Sequence, residues 1–259
     1  MKTNAIRINE YGGPEVLDYC EIDLPELKSG EARIRHNAIG LNFIDTYHRS
    51  GLYPMPLPTG LGSEAAGVVE EIADDVTVVK VGDRVVYTGR PADSYSEQRN
   101  FDANQLVPIP DGISFEQAAA LLLKGLTAWY LLRKSYAVKT NDDILLHAAA
   151  GGVGLIASQW ASHLGANVIG VVSTPEKAEL ALAHGCSEII MVDEDVAKKV
   201  LKLTNGKGVS AVYDSIGKNT FISSLNSLKP HGVMVTFGNA SGPVDPFAPS
   251  ELASRHSLY

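Results

Sequence analysis

Cysteine is nearly absent from this chain: Cys20 and Cys186 are the only two in 259 residues, they stand far apart, and neither belongs to a C-x-x-C pair. That scarcity argues against a disulfide scaffold or a cysteine-rich metal lobe, and it fits a reduced compartment with both thiols serving as small apolar side chains. No apolar run approaches the roughly 20 residues that span a bilayer. The opening residues Met1–Arg7 hold no apolar h-region, so no secretory signal is read there and the expected compartment is the cytoplasm. Runs of Lys or Arg are missing as well. With 22 basic residues against 30 acidic ones and a net charge of −8, a broad surface for nucleic acid is disfavoured.

What remains is the composition of an ordinary globular protein, 45% hydrophobic and 20% charged, able to bury a sizeable core without staples. The length points to two domains, and the chain changes character near residue 125. Before that point come short β-like runs, Ala32–His36, Ala65–Ile72, Arg84–Thr88 and Leu106–Ile109, separated by Gly/Pro punctuation such as the loop Tyr53–Pro58. After it the rhythm is strand–helix–strand. The expected strands are Ile144–Ala148, Val168–Val172, Ile189–Val192, Val209–Tyr213 and Val233–Phe237. Helices are expected over Gly152–Leu164, from Pro175 to near Gly185, over Val196–Thr204 and over Asn219–Leu228. That alternation predicts a parallel, doubly wound sheet.

Between the first of those strands and the first helix stands Ala149-Ala150-Gly151-Gly152-Val153-Gly154, a G-x-G-x-x-G fingerprint with alanine in first place. A glycine fingerprint alone carries little weight, but here a buried strand precedes it and an amphipathic helix follows. Small residues at Gly151, Gly152 and Gly154 let the backbone approach a pyrophosphate, and the helix N-terminus offers free N–H groups to that anion. A site specific for NAD wants Asp or Glu at the end of the second strand. Here the strand ends on Ser173, with Lys177 four residues on, a hydroxyl and an ammonium suited to a 2′-phosphate. NADPH is the expected cofactor, with a merely solvated Lys177 as the competing reading.

Taken together, these residues resemble a known family. His147–Gly154 with Gln159, Gly12–Leu17, Asn42–Tyr47, Gly82–Val85, Lys124–Thr127, Tyr213–Gly217 and Phe237–Gly242 are similar to the NADPH:quinone oxidoreductase (ζ-crystallin-like) branch of the medium-chain dehydrogenase/reductase superfamily. The resemblance implies an α/β protein. A GroES-like, β-rich catalytic domain would occupy residues 1–124, a Rossmann-type NADP-binding domain residues 125–259, and the cofactor the cleft between them. By the same resemblance Asn42, Ile44, Asp45, Thr46, Thr127 and Tyr130 match the nicotinamide side, and Gly152 and Val153 the pyrophosphate turn. Ser173 through Lys177 match the adenosine-ribose phosphate pocket. Ile216 and the loop Gly238, Asn239, Ala240 and Ser241 match further contacts along the cofactor.

Two departures stand out. Relatives often carry a tyrosine against the adenosine end, where this chain has Val192. The chain also ends at Ser257-Leu258-Tyr259, where relatives begin the sixth strand of a sheet ordered 3-2-1-4-5-6. The last strand and the C-terminal return are expected to be missing, with a family-type homodimer, stability and activity all compromised and Val233–Phe237 left as an open edge.

Zinc-dependent members of the superfamily carry a Cys, a G-H-E motif and a four-cysteine lobe. The matching positions here are Asn42 and Gly62-Ser63-Glu64, so no metal is expected. The reaction implied is zinc-independent reduction of quinones by NADPH. A quinone takes hydride readily, and the phenolate formed takes its proton from water, given a reference phenol pKa near 10. Tyr47 and Tyr53 are candidate donors to a substrate oxygen, ring packing being the competing role. Two alternatives stay open: reduction of activated alkenes such as enones, and a non-catalytic role binding cofactor or RNA, as in some ζ-crystallin-like proteins.

Overall fold

The computed structural model describes all residues, Met1–Tyr259, and they divide into two compact units, Met1–Leu123 and Lys124–Tyr259. The first unit opens with β1 (Lys2–Ile8), β2 (Asp18–Asp23) and β3 (Glu31–Gly40), followed by α1 (Phe43–Ser50) and β4 (Thr59–Gly60). Then come β5 (Glu64–Ile72), β6 (Arg84–Thr88), β7 (Gln98–Asp102), β8 (Val107–Pro108) and α2 (Phe115–Tyr130), the last crossing into the second unit. One sheet has the order β2-β1-β4, the other β7-β3-β5-β6-β8, and their ladders are antiparallel. The expected runs lie within β3, β5 and β6, while Leu106–Ile109 shortens to the two residues of β8. Ala32, Ile34, Ala65, Val69, Val85 and Tyr87 form the heart of this unit's core.

The helices α1 and α2 were not among the elements expected of this half. Both begin with a reciprocal cap. The Asn42 N–H donates to the Asp45 carboxylate at 3.0 Å, and Ser114 and Gln117 exchange backbone-to-side-chain bonds at 2.9 and 3.1 Å. Such caps satisfy N–H groups that a helix start would otherwise leave open.

The second unit alternates as its pattern predicts: β9 (Asp143–His147), α3 (Gly152–His163), β10 (Asn167–Val172), α4 (Pro175–Ala183), β11 (Glu188–Met191), α5 (Val196–Leu203), β12 (Val209–Asp214), α6 (Phe221–Asn226), β13 (Leu228–Thr236) and α7 (Ser250–Ser254). Its sheet is parallel in the order β11-β10-β9-β12-β13. Successive side chains point to opposite faces. Ile144, Leu146, Val168 and Val172 therefore pack with Ala157, Ala161 and Ala181 of α3 and α4, whereas Leu145, Ile169 and Val171 pack with Val200, Phe221 and Leu225 of α5 and α6.

The boundary between the last expected helix and strand differs most from expectation. The helix expected over Asn219–Leu228 ends at Asn226, because Leu228 already pairs with Val209 and the Ser227 carbonyl accepts the Val209 N–H. The strand then bends through His231, held at φ 60°, before Val233 resumes the ladder against Ala211. On the other side of β13, Tyr259 gives its N–H to Gly232 and takes that of Met234, a parallel bridge.

Candidate active site

The carboxyl ends of β9, β10 and β12 open onto a cleft of about 480 Å³, where a doubly wound sheet binds its ligands. β9 leaves the sheet through Ala148, whose φ of 52° is a left-handed conformation that an alanine adopts only where the surrounding structure enforces it. The turn closes when the Gly151 N–H reaches the Ala148 carbonyl at 2.8 Å, and Gly151 caps α3. Gly152, Val153 and Gly154 make the first turn of that helix. A Cβ on Gly154 would press into the carbonyl oxygens of Ala148 and Ala149, and one on Gly152 would fall 2.8 Å from Cδ of Lys124. Gly154 requires glycine for close approach, whereas at Gly152 the flexible Lys124 side chain can turn aside, and a helix start of this kind is suited to an anion.

At the end of β10 the predicted pair is brought together: Lys177 Nζ donates to Ser173 Oγ at 2.9 Å. Thr174 sets this geometry by capping α4, accepting the Lys177 N–H at 3.3 Å. Ser173 and Lys177 are exposed and line the cleft. Glu176, the acidic neighbour, is engaged by Thr174, the contact that most lowers its pKa. Val192 also borders the cleft, 57% exposed.

The third wall is the turn after β12. Asp214 is fully buried, and its Oδ1 accepts the N–H groups of Ile216 at 2.8 Å and Gly217 at 3.1 Å. Its Oδ2 accepts the Ser224 hydroxyl at 2.7 Å, and Ser224 Oγ in turn lies 3.0 Å from His147 Nε2. The loop Gly238–Ser241 is stitched to the same turn: Ala240 N–H bonds to Ser215, and Ser241 gives both its N–H and its hydroxyl to the Ile216 carbonyl at 2.8 Å. Gly238 and Asn239 lead into that contact. Thr127 and Tyr130 lie one turn apart near the end of α2, where partial burial raises the Tyr130 pKa.

In the first unit the predicted residues cluster around the start of α1. Asp45 is 4% exposed and accepts from Asn42 N, from Ser63 Oγ at 3.1 Å and from Tyr95 Oη at 2.8 Å. Asn42 Nδ2 donates to Glu64 Oε2 at 2.9 Å, while Glu64 Oε1 accepts the Leu123 N–H at 2.6 Å. Thr46 turns its hydroxyl back to the Phe43 carbonyl, and Ile44 is partly buried. Tyr47 is 8% exposed and meets Tyr53 edge-on at 5.0 Å between ring centroids. His48, 2% exposed beside Asp45, has no hydrogen-bond partner at either ring nitrogen, and burial lowers its pKa. Tyr95 was missed by the sequence reading, as was the buried Asp214–Ser224–His147 chain behind the cleft. Burial and Asp45 raise the Tyr95 pKa, so the hydroxyl remains a donor.

These donors do not fit zinc. The ion takes thiolate, imidazole or carboxylate ligands. Here an amide stands at Asn42 and a hydroxyl at Ser63, while the carboxylates of Asp45 and Glu64 are already occupied by neutral donors.

A strand-rich module joined to a parallel dinucleotide sheet with a glycine turn defines a medium-chain dehydrogenase/reductase. Residues 28–111 match the family of alcohol dehydrogenase GroES-like domains, and residues 152–258 match the family described as zinc-binding dehydrogenases. A quinone oxidoreductase of Pseudomonas aeruginosa is 55% identical over 98% of this chain and 79% of its own length. The crystal structure of Escherichia coli quinone oxidoreductase complexed with NADPH superposes with a TM-score of 0.97 at 48% identity, over 99% of this chain and 79% of that one. A 2-haloacrylate reductase of a Burkholderia species is 45% identical over 98% of this chain and 79% of its own length. The chain belongs to the NADPH:quinone oxidoreductase family of that superfamily.

Proposed function

We propose that this chain reduces quinones with NADPH and without a metal. The observation that carries the reading is the Ser173–Lys177 pair, joined at 2.9 Å where an NAD-specific site would hold a carboxylate. NADPH, when bound, supplies the hydride, and the protein supplies grip, orientation and shelter from water. Ser173 and Lys177 bind the 2′-phosphate, and the backbone of Gly151, Gly152, Val153 and Gly154 takes the pyrophosphate. Ile216 with Gly238, Asn239, Ala240 and Ser241 lines the path between. Asn42, Ile44, Thr46, Thr127 and Tyr130 serve the nicotinamide end. Asp45 acts there by holding the Asn42 backbone and Tyr95 in place. Tyr47 and Tyr53 are the candidate donors to the quinone oxygen, and water supplies the proton.

A second reading, hydride transfer to an activated alkene, is favoured by the likeness to a 2-haloacrylate reductase. The resemblance to the family supports a homodimer as the working assembly, and the two unpaired cysteines support a reducing compartment, the cytoplasm. NADPH oxidation followed against a panel of quinones, enones and haloacrylates, with and without chelator, tests the whole. Quinone turnover is expected to lead the panel and to be unchanged by chelator. Faster turnover of alkenes, or loss of activity on chelation, would overturn the first reading.

A further inference from the structure

The glycine turn and the Ser173–Lys177 pair leave one titratable residue of the cleft lining without a role. His147, the last residue of β9, lines the cleft and is 2% exposed. Its hydrogen-bond chain defines where its proton sits. Asp214 accepts the single hydrogen of the Ser224 hydroxyl at 2.7 Å, so Ser224 Oγ has only lone pairs left for His147. At 3.0 Å from that oxygen, Nε2 must be the nitrogen that carries the hydrogen. The second ring nitrogen, Nδ1, is then a bare acceptor. Burial keeps the ring neutral by lowering its pKa, against the opposing pull of Asp214. Nδ1 makes no hydrogen bond within the protein and is not a buried atom, so on a residue that lines the cleft it is open to a donor that enters there.

What enters this cleft can supply that partner. Near Ser173 and Lys177 the adenosine ribose has its 2′-oxygen phosphorylated in NADPH, so its 3′-hydroxyl is the one ribose hydrogen still free to donate. We propose that His147, fixed as the Nε2–H tautomer by Ser224 and Asp214, reads the cofactor by accepting the adenosine 3′-hydroxyl at Nδ1. The inference rests on the NADPH reading of the cleft. It adds a recognition element that is neither charged nor part of the glycine turn. It also ties that element to the Ile216–Gly217 turn, since Asp214 holds both.

Two measurements test it. The first is the 15N spectrum of the histidine-labelled protein without ligand, in which His147 is expected to show a protonated Nε2 and an unprotonated Nδ1. The second is titration with adenosine 2′,5′-bisphosphate and with its 3′-deoxy analogue. Loss of the 3′-hydroxyl is expected to weaken binding to the unaltered protein up to about tenfold, the scale of one neutral hydrogen bond. His147→Gln keeps a donor toward Ser224 but offers no acceptor at the Nδ1 position, and it is expected to bind both ligands equally. His147→Asn, whose amide oxygen falls near the Nδ1 position, is expected to restore part of the difference. A protonated Nδ1, or equal binding of the two ligands by the unaltered protein, would overturn the proposal and leave the NADPH reading standing. Failure of the unaltered protein to bind either ligand would overturn both.

Discussion

Lys177 is held by Ser173 at the end of β10, the proposed seat of the 2′-phosphate, and no acidic residue lines the cleft beside it. A 2′-phosphate arriving there gains a charge-assisted hydrogen bond that a bare 2′-hydroxyl does not. Lys177→Ala is expected to narrow the preference for NADPH over NADH by about 1–3 kcal/mol, read from fluorescence titrations of both nucleotides. Equal affinities in the unaltered protein would refute the specificity argument. Gly154 makes a different kind of demand. A methyl there meets two backbone carbonyls, which cannot turn aside as a flexible side chain would. Gly154→Ala is expected to destabilise the chain by roughly 1–3 kcal/mol in urea unfolding and to weaken NADPH binding with it, because the whole start of α3 must shift.

At the level of elements, helix starts organise the predicted residues. Thr174 caps α4 and thereby sets the backbone that carries Lys177. Thr174→Ala is expected to lower stability by about 1 kcal/mol, measured by chemical denaturation, with NADPH affinity falling while NADH affinity changes less. Much of the second unit was legible because its signals are local: the spacing of apolar residues in Gly152–His163, the Pro175 start and the glycine turn all act within a few residues. The first unit hid more. Asn42 with Asp45, and Ser114 with Gln117, are helix-start patterns, yet the short β-like runs and Gly/Pro punctuation around them led to a strand-rich reading that assigned no helix there. β7 escaped because Gln98-Arg99-Asn100-Phe101-Asp102 has almost no apolar residues and is a strand through pairing with β3. The same division holds in the proposed site. Ser173 and Lys177 are one helical turn apart and could be paired on paper, whereas Tyr95 reaches Asp45, and Ser224 reaches His147, only through the tertiary fold.

The molecule as a whole carries its histidines in a way that sets its behaviour in acid. His36 on β3 donates from Nδ1 to the Ser96 carbonyl at 2.7 Å and meets the Tyr87 hydroxyl with Nε2 at 2.8 Å. Burial, reinforced by the nearby Arg99 charge, brings its pKa down to about 4 against the partial help of Ser96. The unfolded chain therefore binds this proton more readily than the folded one. The stabilisation is whole above pH ~6.5, declines as pH falls and is gone once pH passes below about 4, a loss on the order of 3 kcal/mol. His48 and His147, lowered in the same direction by burial, add to the slope. Urea unfolding between pH 7 and pH 4 is expected to show this decline, and His36→Asn to flatten it; an unchanged slope in the variant would place the acid sensitivity elsewhere.

The bond between Ser173 and Lys177 also bears on how quickly and how selectively a nucleotide is held. A lysine side chain free in solvent carries about 2 kcal/mol of rotational freedom, which any ligand that immobilises it must overcome. Here part of that ordering already exists in the unliganded protein, so the ammonium waits in the cleft rather than searching for it. Removing the anchor while leaving the charge, as in Ser173→Ala, separates the two contributions: whatever affinity is lost beyond the serine's own hydrogen bond measures how much of the selectivity comes from rigidity instead of charge.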